Sequence, residues 1–146
     1  MKKVLFTLTV LFSAIFAINA QEVQTESGAQ IVFEKEVHDY GTIEQNANGA
    51  CEFVFTNTGN EPLMISNAKG SCGCTVPEWP KTPIAPGETG VIKVKYDTKR
   101  VGPFGKSVTL TSNATNTPTK VIRIKGTVKA APKAVSPVNT TGAPAN

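Results

Sequence analysis

The chain has 146 residues, with 15 Lys+Arg against 11 Asp+Glu, 12 Gly, 10 Pro, 7 Phe, one His and one Trp. That length allows one domain and hardly two. A single His and the lack of a nucleotide-binding glycine pattern argue against most hydrolases, kinases and dehydrogenases.

Residues 1–20 read as a secretory signal. Lys2 and Lys3 form a positive start, Val4 to Ile18 an apolar run, and Ala20 a small residue at the exit. The run is shorter than the ~20 apolar residues that a membrane span needs. Cleavage is expected after Ala20, with no transmembrane segment in the mature chain and an exported location, periplasmic or extracellular. No cysteine sits at the junction to carry a lipid anchor. Removing these residues leaves 126, with 13 basic and 11 acidic side chains. The charges are scattered, and the sequence points to no nucleic-acid partner.

Residues 21–30 are polar and aperiodic, and read as a flexible leader. From Ile31 the apolar spacing has period two and not 3.6. Ile31, Phe33 and Val37 suggest a first strand. Cys51, Phe53 and Phe55 alternate with Glu52, Val54 and Thr56 in a half-buried strand that ends in the Asn57-Thr58-Gly59-Asn60 turn. Leu63 and Ile65 start the next strand, and Pro83 to Glu88 turn the chain again. Ile92, Val94 and Tyr96 face inward, then Phe104, Val108 and Leu110, then Ile122, Ile124 and Val128. About seven short strands without helices predict an all-β fold, an immunoglobulin-like antiparallel β-sandwich over 31–129. Trp79 follows all three cysteines, so the Cys…Trp…Cys spacing of antibody domains is missing. Residues 130–146, rich in Pro, Ala and Thr with one charge, cannot offset the entropy of ordering and read as a disordered tail.

Cys51, Cys72 and Cys74 are an odd number for an exported chain. Cys51 shares a face with Phe53 and Phe55 and reads as a buried small apolar residue. In Cys72-Gly73-Cys74 the alternate positions place both sulfurs on one side. A disulfide between them is at the upper limit of Cα separation for an extended tripeptide, and Gly73 eases the bend. Three readings stay open. The pair forms a structural disulfide, locally or with Cys51. It forms a strained and therefore reducible redox pair. Or it binds a soft metal, Cu(I) or Zn(II), for which His38, Met64 and Cys51 are the only further ligands in view.

The remaining side chains carry little chemistry. His38 and Asp39 are adjacent, leave a strand on opposite faces and cannot orient one another, so His38 reads as a surface residue. Trp79, between Pro77 and Pro80, covers a core edge or, if exposed, anchors a partner. No residue set calls for a cofactor.

Several segments occur in a telling order: His38-Asp39-Tyr40-Gly41-Thr42-Ile43, Phe53 to Gly59, Ser71-Cys72-Gly73-Cys74-Thr75, Ile84 to Glu88, Gly102-Pro103-Phe104 and Thr111-Ser112-Asn113. The series resembles the bacterial domain-of-unknown-function family 1573 over about residues 32–128. That family is similar to immunoglobulin-like domains of the major sperm protein and cilium-associated type, which are binding or scaffold modules. The resemblance implies a sandwich and an exported location, and supplies no established activity, substrate or catalytic residue. Cys72 and Cys74 carry over as signature positions, and Cys51 does not. The sequence thus points to a non-enzymatic binding or structural module of the cell envelope with an unidentified protein or envelope partner. The alternative is a thiol redox or soft-metal module acting through Cys72 and Cys74.

Overall fold

The structure, a computed structural model, describes residues 27–132. The expected signal at 1–20, the first part of the leader and nearly all of the expected tail lie outside the described residues.

Eight strands form two sheets of four: β1 (Ile31–Phe33), β2 (Val37–Glu44), β3 (Ala50–Asn57), β4 (Ile65–Gly70), β5 (Thr75–Glu78), β6 (Thr89–Tyr96), β7 (Gly102–Ser112) and β8 (Thr119–Lys129). One sheet runs β1-β3-β6-β5 and the other β2-β8-β7-β4. The sandwich is the one the alternation predicts, with one strand more than the seven expected. The extra strand comes from the start of the domain. Ile31, Phe33 and Val37 do not share a strand, because the chain crosses between sheets over Glu34, Lys35 and Glu36. It then joins the second sheet alongside β8, and this β2–β8 pair is parallel where the sequence suggested antiparallel pairing throughout.

Alternation is cleanest in β3, where Cys51, Phe53, Phe55 and Asn57 are buried and the residues between them reach toward solvent. Facing them are Ile92 and Val94 of β6 in the same sheet and Leu110, Ile122 and Ile124 of the other, all almost fully buried. Tyr96 stacks on Phe104 across the sheets, with ring centroids 3.9 Å apart. Burial of each large side chain contributes about 1.5–3 kcal/mol. Gly90 sits against the face of Phe55, where a Cβ would collide with the ring.

Residues 28–30, expected to lie in a flexible leader over 21–30, pack against the domain. Ala29 is only 1% exposed, and Gly28 accepts from the Asn60 N–H at 3.0 Å. The anchor is Asn57, whose side-chain amide is fully buried. Its Oδ1 accepts from the Gln30 and Gly59 N–H groups at 3.2 and 3.1 Å. Its Nδ2 donates to the Glu61 and Ile84 carbonyls at 2.7 and 3.0 Å. One side chain thus ties the entry of β1, the turn after β3 and the loop before β6.

The sheet edges are treated unequally. At β1, Asn116 reaches across from the β7–β8 loop, accepting from the Ile31 N–H and donating to the Ile31 carbonyl, each at 3.0 Å. At β4, the Trp79 indole N–H donates to the Ile65 carbonyl at 3.1 Å. At β5, Pro77 has no N–H to offer, and the Thr75 N–H turns back to the Cys72 carbonyl at 3.2 Å. Among the described residues no side chain from another segment caps the far side of β2, eight residues long, although its own Asp39 takes the Gly41 N–H at 2.8 Å. Its regularity is broken by a bulge between Asp39 and Thr42.

Candidate functional site

Cys72 and Cys74 are joined to each other in a local disulfide, with Cα atoms 5.2 Å apart. The bridge spans the tight turn from β4 to β5. Backbone bonds hold that turn on every side. The Ser71 N–H donates to the Ser107 carbonyl at 2.8 Å, and the Asp97 N–H donates to the Cys74 carbonyl at 2.9 Å. The Ser71 hydroxyl accepts in return from the Ser107 N–H at 3.2 Å. Gly70 packs directly on the Thr75 backbone, leaving no room for a Cβ. Gly73 does not take a left-handed conformation, and a Cβ there would meet nothing. The bend therefore does not depend on glycine in the way the sequence suggested.

The two sulfurs differ in access. Cys74 is 5% exposed and Cys72 is only partly buried against the core. Thr75, 3% exposed, sets its hydroxyl 3.7 Å from the Cys72 Sγ and 3.8 Å from the Cys74 Sγ. The sequence placed Thr75 in the Cys-Gly-Cys-Thr motif but gave it no role of its own, because strand alternation alone does not say that a threonine turns inward.

Clefts flank the turn. One of about 500 Å³ borders Gly73, Cys74 and Val76 and continues along Lys95, Asp97 and Lys99. A second, of about 510 Å³, borders Ser71 and Ser107 and is lined by Lys106, Arg123 and Lys125. Neither brings together a nucleophile, a base and an orienting group.

Cys51 is free and buried. The bridge between it and the Cys72–Cys74 pair that the sequence left open is excluded by register. Cys51 lies opposite Val94, whereas Cys74 bonds to Asp97, three residues further along the chain, just past the end of β6 and on the side of β5. That displacement is roughly 10 Å along the strand before the step across, beyond the ~7 Å Cα limit. Burial pushes the Cys51 thiol up from its ordinary pKa, which keeps it protonated and inert. Beside it the Tyr40 hydroxyl donates to the Gly49 carbonyl at 2.7 Å, and burial raises the phenol in the same way.

His38 is not the free surface residue the sequence suggested. Its ring meets Tyr40 edge-on at 4.5 Å and lies 6.4 Å from Phe53. Burial lowers its pKa, the nearby Lys35 lowers it further, and Asp39 opposes both. Asp39 turns the other way, to Lys125 at 3.2 Å and to the Gly41 N–H at 2.8 Å. The pair has no acid–base geometry. Trp79 is half-buried, with Lys81 Nζ 3.0 Å from its ring centroid, so it covers a core edge. No group of three or more His, Cys, Asp or Glu among the described residues is placed to hold a metal. With both sulfurs bonded to each other, neither is a thiolate ligand.

The family model described as protein of unknown function (DUF1573) matches residues 31–128. The chain belongs to that family. No curated protein matches it significantly. Among solved structures it is similar to a protein of unknown function from Porphyromonas gingivalis W83, at 14% identity and a TM-score of 0.62, over 75% of this chain and 51% of that one. It is also similar to PapD-like domain 7 of human CEP192, at 9% identity and a TM-score of 0.56, over 71% of this chain and 88% of that domain. A third likeness is to the secreted serine protease VesC from Vibrio cholerae, at 13% identity and a TM-score of 0.53, over 68% of this chain. This chain spans about half of the P. gingivalis protein and 23% of VesC. At such identities the likeness shows the fold alone: an immunoglobulin-type β-sandwich.

Proposed function

We propose that this member of the family is an exported, non-enzymatic binding module of the bacterial cell envelope, periplasmic or at the outer surface. Its partner is an extended segment of another envelope protein, which adds to the sandwich along β2. The observation that carries this reading is the contrast between edges. Asn116, Trp79 and Pro77 blunt β1, β4 and β5, whereas the far side of β2 carries a bulge whose Gly41 N–H is taken by Asp39 and no cap from another segment among the described residues. Capping of this kind protects edges from unwanted pairing, and an uncapped edge is a template for strand addition.

The geometry of β2 supports the mode. Glu36 gives its carbonyl to the Arg123 N–H on β8. Alternation then turns the N–H and carbonyl of Val37 outward. The Val37 side chain is 46% exposed. No helix among the described residues is long and apolar enough to cross a membrane. The signal-like start at residues 1–20 and the oxidised Cys72–Cys74 pair support export.

The test is capture from envelope extract with the wild type and with Val37→Pro, which removes an outward donor and leaves the ladder to β8 intact. The reading expects a protein retained by the wild type and lost with the variant at unchanged stability. Failure of the wild type to retain any protein above a resin control would sink it, as would equal capture by both.

A further inference from the structure

We propose that the Cys72–Cys74 bridge is an exchangeable disulfide that accepts two electrons from a dithiol. In this exchange Cys72 is the sulfur attacked, Cys74 the sulfur that leaves, and Thr75 the hydroxyl that holds the leaving thiolate. The inference goes beyond the binding reading and does not depend on it.

The bridge has little to do for the fold. A disulfide stabilises chiefly by closing a loop in the unfolded chain, and one between residues two apart closes almost none. The turn it spans is already held by the bonds of Ser71, Cys74 and Thr75 to backbone partners. Exposed bridges are the labile ones, and Cys72 is only partly buried.

Access gives the exchange a direction. Thiol exchange needs the incoming thiolate in line with the sulfur–sulfur bond, and the outer face of the bridge belongs to Cys72, since Cys74 is 5% exposed. Clefts border the turn that carries the bridge, one at Ser71 and the other at Gly73 and Cys74, so an incoming chain can seat beside it, while the more exposed sulfur is that of Cys72. The buried Thr75 hydroxyl has the two sulfurs as its side-chain partners. A buried hydroxyl satisfied only by weakly accepting disulfide sulfur gains a much better acceptor when one sulfur becomes a thiolate.

The electrons balance as follows. One thiolate of the dithiol attacks the Cys72 Sγ, the sulfur–sulfur bond breaks, and its electron pair leaves with Cys74, which accepts a hydrogen bond from Thr75. The second thiolate of the dithiol then attacks its partner sulfur in the mixed disulfide and releases Cys72. Both cysteine thiolates take protons from water. The dithiol ends as a disulfide, having lost two electrons and two protons, and Cys72 and Cys74 end as two thiols.

The test uses the oxidised full chain, with glutathione as the trapping probe and dithiothreitol as the reducing one. After acid quench and peptide mapping, glutathione is expected on Cys72 in large excess over Cys74. Reduction by dithiothreitol is expected to slow about tenfold in Thr75→Val, for loss of a hydrogen bond to a charged group. Thr75→Ser should keep the wild-type rate, and both variants should keep the wild-type urea midpoint to within about 0.5 M, which separates chemistry from structure. Glutathione on Cys74, or shared equally, would overturn the assignment of sulfurs. A Thr75→Val rate equal to wild type would overturn the role of the hydroxyl. A bridge that stays oxidised under millimolar dithiothreitol would overturn the proposal as a whole.

Discussion

Replacing Asn57 with alanine tests how the sandwich is tied together at its β1 end. The side chain is 0% exposed and makes four hydrogen bonds to backbone groups of Gln30, Gly59, Glu61 and Ile84. Each such bond contributes about 1 kcal/mol net, and more where the orphaned partner stays buried. The Gly59 and Glu61 groups lie near the surface and regain water, and the Ile84 carbonyl keeps the Leu63 N–H at 2.8 Å, so the loss is close to the sum of the four bonds. The expected loss is therefore about 3–4 kcal/mol, a large share of the ~5–15 kcal/mol typical of a domain. With a urea slope of about 1.5–2 kcal/mol/M, the midpoint should fall by roughly 2 M without a change in slope. Asn57→Asp sharpens the test. It keeps the shape and the acceptor, but it cannot donate to the Glu61 and Ile84 carbonyls when ionised and sets a carboxylate against them. Its penalty should exceed that of alanine at neutral pH and shrink in acid, where a protonated carboxyl can donate again. A midpoint shift below about 0.5 M for Asn57→Ala would refute the assignment of Asn57 as the tie.

Three further outcomes follow from named contacts. Asn116→Ala removes both bonds to Ile31 and should cost about 1–2 kcal/mol. By baring the β1 edge it should also cause concentration-dependent self-association in sedimentation velocity, and an unchanged monomer would contradict the capping argument. Gly90→Ala drives a Cβ into the Phe55 ring and should cost about 1–3 kcal/mol in urea unfolding; a change within 0.5 kcal/mol would show that the ring can move aside. His38 is held below its ordinary value of 6.5 by burial first and Lys35 second. The unfolded chain therefore binds the proton more readily, so stability is complete above about pH 6.5 and declines as pH falls toward the lower folded-state value. Unfolding midpoints taken between pH 7 and 5 should show that decline, and His38→Phe should flatten it.

Most of the fold was legible because strand alternation is a local signal. Phe53, Phe55, Ile92, Val94, Leu110 and Ile124 announce their burial by period two, and the structure buries them all. The crossing between Phe33 and Val37 was not legible, since nothing in Glu34-Lys35-Glu36 says that the chain changes sheets. The parallel β2–β8 pair follows from that crossing and was hidden with it. Asn57 read as the start of a turn, and it ends β3, but its long-range bond to Gln30 joins segments 27 residues apart; Asn116 carried no signal at all, and its bond to Ile31 spans 85. The local pairing of Cys72 with Cys74 was one of several options on spacing alone. Register removed Cys51 from contention, and register is a property of the sheet. Thr75 stood in the Cys-Gly-Cys-Thr motif, but its place was hidden for a related reason: its hydroxyl meets both sulfurs only once the turn is folded.

The claim that β2 is the receiving edge is tested most directly by site-specific photocrosslinking in the native envelope. Val32, Val37 and Val76 are matched controls, at 49%, 46% and 55% exposure on the edge strands β1, β2 and β5. A photoreactive residue at position 37 should give a discrete protein adduct, and the same residue at 32 or 76 should not. Equal adducts at all three positions, or none at 37, would contradict the account.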